Sequence, residues 1–161
     1  MTAIAHVGMT VVDLDLAVAW YSDVLGLEPL GSPVSVRGGE GHGGRLAEEV
    51  FGVGFGEFRQ AHLAGANGTA LELFQFAGRA SERRAGPFDF RRMGVFHVCF
   101  VAQEIEHTAD RIAALGGRRR MERAAPIFAG EPYRTCFCED PFGNVIELYS
   151  HSHERVYANR A

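Results

Sequence analysis

Apolar and polar positions alternate from Val145 to Tyr149 with the period of a half-buried strand. The strand follows Asp140-Pro-Phe-Gly-Asn, whose φ-fixed and φ-positive positions suit a tight turn. Ile146 and Leu148 are predicted to face a core, which leaves Glu147 on the other face between Val145 and Tyr149. A carboxylate among such neighbours needs a partner. The pattern has an earlier echo: Thr69 to Phe74 repeats apolar-Glu-Leu-aromatic around Glu72, and Ala5-His6-Val7 anticipates Phe96-His97-Val98. His6 to Gly26 spans 20 residues, as does His97 to Gly117. His6 to Glu72 spans 66 against 50 from His97 to Glu147, so the first copy carries 16 extra residues, placed between Gly31 and Gly56. The chain is an internal repeat.

In order along the first copy, Ile4 to Val12 reads as a strand with His6, Gly8 and Thr10 on one face. Asp13 or Asp15 then caps a helix whose buried stripe is Leu16, Ala19, Trp20, Val24 and Leu25 and which Gly26 stops. Leu27 to Arg37 reads as a second strand, bent or at an edge because of Pro29 and Pro33. Arg37 to Arg45 is glycine-rich; without a following Gly-Lys-Ser/Thr it is a mobile loop or lid rather than a phosphate cradle. Leu46 to Phe55 suggests a short helical turn, Glu57 to Leu63 a third strand, and Gly65 to Gly68 the turn into the strand holding Glu72. Phe51, Phe55 and Phe58 are ordinary core or the lining of an apolar substrate pocket.

The second copy repeats the plan. Its helix runs from about Glu104 to Leu115 with Ile105, Ala109, Ile112 and Leu115 buried, and Gly116-Gly117 ends it. Arg118 to Arg120 reads as a solvated face, Tyr133 to Glu139 as a strand carrying Cys136 and Cys138 as a packed, reduced pair, and Ser150 to Glu154 as a solvated tail. The expected division is a first module over 1–76, a polar linker over 77–93, and a second module with its tail over 94–161.

Composition narrows the class. With 161 residues and 47% hydrophobic content, the chain can bury a core as one domain or two small modules. A net charge of −4 gives no reason to expect nucleic acid or an anionic membrane as partner. No membrane span and no secretory signal is visible, and three cysteines fit a reducing compartment, so a cytoplasmic protein is expected.

The chemistry reduces to His6, Glu72, His97 and Glu147. Singly, a strand His is more often satisfied in a core and a strand Glu more often solvated. Together, the same pair recurs at equivalent places, so the two copies present two imidazoles and two carboxylates to one cleft. Such a donor set suits one borderline divalent ion, Zn, Ni, Co, Mn or Fe(II), with positions left for water or substrate.

The repeated βαβββ pattern, with His6-Val7-Gly8, Tyr21 to Leu27 and Asp140-Pro-Phe-Gly-Asn-Val-Ile-Glu, resembles the vicinal oxygen chelate superfamily, which includes glyoxalase I, over nearly the whole chain. The resemblance implies an α+β fold of two modules joined edge to edge in a curved mixed sheet around a metal cleft, often completed across a homodimer. In small bacterial glyoxalase I the ligands are His, Glu, His and Glu, matched here by His6, Glu72, His97 and Glu147. The implied substrate is a small molecule with adjacent oxygens. Lewis-acid chelation acidifies its C–H and stabilises the enediolate left behind, while Glu147 first, or Glu72, carries the proton. That is isomerase, epimerase or lyase chemistry. Methylmalonyl-CoA epimerases typically carry Gln where Glu72 stands, which favours the glyoxalase pattern, with Gln75 close enough to keep the alternative in view. Two other classes fit the fold: an extradiol dioxygenase using His6, His97 and Glu147 on Fe(II), and a metal-free binding protein of the bleomycin-resistance kind.

Overall fold

The structure, a computed structural model, describes residues 2–77, 90–91 and 93–158. It is α+β, and the chain divides into two compact units, residues 1–83 and 84–161, each built on a five-stranded mixed sheet. The linker expected over 77–93 lies mostly outside the described residues.

In the first unit the order is β1 (His6–Thr10), α1 (Leu14–Leu25), β2 (Glu28–Pro29), β3 (Val34–Arg37), α2 (Gly41–Phe51), β4 (Glu57–Ala64) and β5 (Ala70–Phe76). The sheet runs β1-β5-β4-β2, with β3 also on β4; β1 and β5 are parallel, and β4 is antiparallel to its neighbours. The single strand expected over Leu27 to Arg37 is therefore two short edge segments, one ending at Pro29 and the next starting after Pro33.

Asp13 is the cap of α1, its carboxylate accepting from the Leu16 N–H at 2.9 Å, and Gly26 closes the helix at φ 68°. Starting the helix at Leu14 sets the phase, so Leu14, Ala17, Trp20, Tyr21 and Val24 are buried while Leu16 and Ala19 are exposed. The expected stripe was one position out at most of its members. α1 packs on β4 and β5, where Leu63, Leu71 and Leu73 are buried.

The glycine-rich segment is not a loop. Helix α2 begins at Gly41 and runs to Phe51, absorbing most of it. Gly44 is there for contact rather than mobility, because a Cβ on it would lie 2.0 Å from the Arg37 carbonyl oxygen.

The second unit holds β6 (Val98–Val101), α3 (Ile105–Ala114), β7 (Arg118–Arg119), β8 (Ala125–Pro126), β9 (Arg134–Glu139), β10 (Val145–Tyr149) and α4 (His153–Tyr157). Its sheet runs β6-β10-β9-β7, with β8 also on β9, so it repeats the first sheet strand for strand. His97 stands just before β6 rather than within it. Ile105, Ala109 and Ile112 are buried under α3 as expected, but Leu115 is exposed, because the helix has ended and the chain turns at Gly116.

One further expectation changes, while Ser152 to Glu154 are exposed and the two cysteines are packed and free as expected. Arg118 to Arg120 is no free charge run: Arg118 grips Glu139 through two 2.7 Å bonds, Arg120 joins the same carboxylate, and Arg119 bonds Glu106 and Asp110 at 2.6 Å each. The tail forms α4, capped by Ser152, with Val156 fully buried and the His153 ring stacked on Tyr149. Cys136 and Cys138 are free and fully buried among Ile146 and Leu148, and burial with the neighbouring Cys136 pushes the Cys138 thiol up to about 12.

Among the described residues no helix is long and apolar enough to cross a membrane.

Candidate functional site

The turn before β10 is built by Asp140. One of its carboxylate oxygens accepts from the N–H groups of Phe142 (2.9 Å) and Asn144 (2.7 Å), and the other accepts from the Asn144 side-chain amide at 2.8 Å. The closed turn delivers Glu147 at a defined register: opposite Cys99 on parallel β6 and opposite Phe137 on antiparallel β9. Glu72 has the same placement in the first unit, opposite Gly8 on β1 and His62 on β4. Each histidine lies two residues before the strand position facing the glutamate, hence on the same face of its sheet.

The structure brings each expected histidine to its expected glutamate. His6 Nε2 stands 3.2 Å from Glu72 Oε2, and His97 Nε2 stands 3.1 Å from Glu147 Oε2. The same two atom types meet in both units. Among the described residues no three His, Cys, Asp or Glu side chains form a group able to hold a metal ion. Each unit thus supplies a pair of donors.

The pairs fit a divalent ion. Bonds of about 2.0–2.1 Å place neighbouring ligands about 3.0 Å apart in octahedral geometry and about 3.3–3.4 Å apart in tetrahedral geometry, and 3.1–3.2 Å lies between. Among the described residues the buried His97 Nδ1 has no hydrogen-bond partner, and Nε2 is the nitrogen of that ring that faces a carboxylate.

Three polar residues at these pairs were not foreseen. Thr135 Oγ1 donates to Glu147 Oε1 at 2.9 Å, and the Gln60 amide donates to Glu72 Oε1. His62 brings a second imidazole to Glu72, its Nδ1 3.7 Å from Glu72 Oε1 and its Nε2 3.0 Å from the Gln60 amide nitrogen. A signal was present: Gln60 and Thr135 each precede their glutamate by 12 residues. Gln75 belongs elsewhere, because its carbonyl oxygen accepts from the Leu14 N–H at the start of α1.

The surroundings differ in dryness. The Glu147 side chain is 9% exposed and that of Glu72 17%. Cys99 is exposed as a residue, but desolvation of its sulfur and the Glu147 carboxylate push its thiol up to about 12. In the first unit Phe58, Phe74 and Phe76 share the face of Glu72, and Phe51 of α2 sits against all three with ring centroids 5.4–6.1 Å away. The Phe74 ring continues to Gly8, where a Cβ would meet it at 3.6 Å, directly across the sheet from Glu72.

Comparison with known proteins agrees with this architecture. The family model described as Glyoxalase/Bleomycin resistance protein/Dioxygenase superfamily matches residues 3–148. No curated protein matches the sequence. Among solved structures, a glyoxalase family protein from Bacillus cereus superposes with a TM-score of 0.74 at 22% identity, covering 92% of this chain and 93% of that one. Glyoxalase I from Zea mays gives a TM-score of 0.61 at 20% identity over 92% of this chain, which spans only 44% of that protein. A Glu→Gln mutant of the fosfomycin resistance protein FosX from Listeria monocytogenes, complexed with Mn(II) and 1S,2S-dihydroxypropylphosphonic acid, gives 0.59 at 16% identity, covering 96% of this chain and 94% of that one. At these identities the likeness is one of fold.

Proposed function

The chain belongs to the glyoxalase/bleomycin resistance protein/dioxygenase superfamily, and from that premise we propose that it is a metal-dependent isomerase or lyase that moves a proton between adjacent carbons of a small molecule. The observation that carries the reading is the duplicated pair, in which a histidine Nε2 faces a glutamate Oε2 at 3.1–3.2 Å in both units. In this reading His6, Glu72, His97 and Glu147 would hold one divalent ion of the Zn, Ni, Co, Mn or Fe(II) group. Such an ion, when bound, polarises neighbouring oxygens of a substrate and acidifies the C–H beside them.

The residues divide the remaining work. The imidazoles, which bind as neutral donors, keep the ion in place. Glu147 is the first candidate for proton carrier and Glu72 the second. The near-complete enclosure of Glu147 favours it, since a proton taken up away from bulk water is returned to substrate rather than lost to solvent. The phenylalanine wall beside Glu72 favours substrates whose body, apart from the adjacent oxygens, is apolar. The homodimer belongs to the same proposal and is tested by the protein's mass in solution.

The reaction is tested by incubating α-hydroxy and α-oxo carbonyl compounds with the protein in D2O. Deuterium should enter the carbon next to the carbonyl only when Zn, Ni, Co or Mn is supplied, and exchange should fall by about 10²-fold or more in Glu147→Gln. Exchange that survives chelation would sink the reading. Oxygen uptake with catechol and Fe(II), without exchange, would replace it by ring cleavage.

A further inference from the structure

We propose that Gln60 and Thr135 are positioning residues that aim the two glutamates at the ion, an inference that rests on the metal reading above. Both lie on the strand preceding their glutamate, 12 residues before it. Both are diagonal to it in the ladder: Gln60 faces Phe74 where His62 faces Glu72, and Thr135 faces Tyr149 where Phe137 faces Glu147. Both donate to the Oε1 oxygen, leaving Oε2 beside the histidine. The residue types differ, one an amide and one a hydroxyl. What the two units share is a donor, its position, and the oxygen it engages.

That arrangement has a physical use. The terminal torsion of a glutamate is broad, so an unrestrained carboxylate presents either oxygen over a wide range of angles. A donor on Oε1 fixes the carboxylate plane and favours the other oxygen as a single-point ligand. Hydrogen bonds to ligating groups typically change metal affinity by about 10–100-fold. Thr135 should matter more than Gln60. Its glutamate is the drier of the two, so water substitutes poorly for the lost hydroxyl, and the Gln60 amide is shared with His62.

The test is calorimetric titration of Mn(II) and Co(II) into metal-free wild-type protein and the variants Thr135→Val, Thr135→Ser and Gln60→Leu, with the Co(II) visible spectrum and the melting temperature of each metal-free protein. Thr135→Val should bind about 10–100-fold more weakly, with an altered Co(II) spectrum. Thr135→Ser should return to within about threefold of wild type, and Gln60→Leu should fall between. Rescue by serine separates the hydroxyl from side-chain shape, and metal-free melting close to wild type separates aiming from folding. Wild-type affinity in Thr135→Val, or equal losses in the valine and serine variants, would overturn the proposal while leaving the metal reading in place. If Thr135→Val does not fold, Thr135→Ser and Gln60→Leu decide it by the same criteria, an unaltered Gln60→Leu titration counting against it. A wild-type protein that takes up neither ion would overturn the metal reading and this proposal with it.

Discussion

The two units share a frame and finish it with different materials. In the first, the edge segments β2 and β3 are followed by helix α2, and five phenylalanines gather where it meets the sheet. In the second, the corresponding edge segments β7 and β8 lead on to β9 with no helix between β8 and β9, and the Arg118–Arg120 run fastens β7 through Glu139, Glu106 and Asp110. The first periphery adds an aromatic cluster to an Arg37 ion pair with Glu57 and Glu40, whereas the second rests on its arginine run. Yet the histidine, the glutamate and the donor to Oε1 occupy matching register positions in both. The donor pair therefore depends on strand register, which both units keep, and not on the edge, which they do not.

That contrast can be broken from the ionic side. The Arg118 guanidinium, followed by that of Arg120, holds the Glu139 carboxyl below the usual carboxylate range. A depressed folded-state value means stability that is present above the unfolded value of 4.5 and is lost as pH falls through the folded one. Glu139→Gln should thus cost about 1–2 kcal/mol at pH 7, discounted because the Arg118 side chain is itself exposed. It should also flatten the loss of stability below pH 4.5, as measured by melting temperature from pH 3 to 7. Parallel curves for variant and wild type would show that the pair does not fasten the edge. A smaller effect sharpens the equivalence of the donor pairs. His62 stands where the second unit has Phe137, so His62→Phe makes the first pair resemble the second. Mn(II) affinity should change by less than about threefold, or about 0.7 kcal/mol. A loss of tenfold or more would make His62 a ligand and the two pairs unequal.

Much of this was legible from periodicity. The internal repeat, the helix bounded by Asp13 and Gly26, the turn set by Asp140, and both histidine–glutamate pairings follow from local patterns and strand parity. What escaped was non-local. Gly44 looked like loop chemistry because its real constraint, the carbonyl of Arg37, comes from another element. The arginine run looked solvated because its acidic partners lie on α3 and β9. Gln75 sat near Glu72 in sequence but belongs to the cap of α1, since neighbouring strand residues point to opposite faces. Gln60 and Thr135 emerge only when the copies are aligned backward from their glutamates, because the 16-residue difference shifts an alignment run forward from the histidines once it passes Gly31.

Whether the two pairs serve one ion, as proposed, is decided by counting ions by elemental analysis in wild type, His6→Ala and His97→Ala after saturation and removal of excess metal. One ion per wild-type chain is expected, with most of it lost in either variant. Two ions in the wild type, with one kept by each variant, would contradict it by showing that each pair binds for itself.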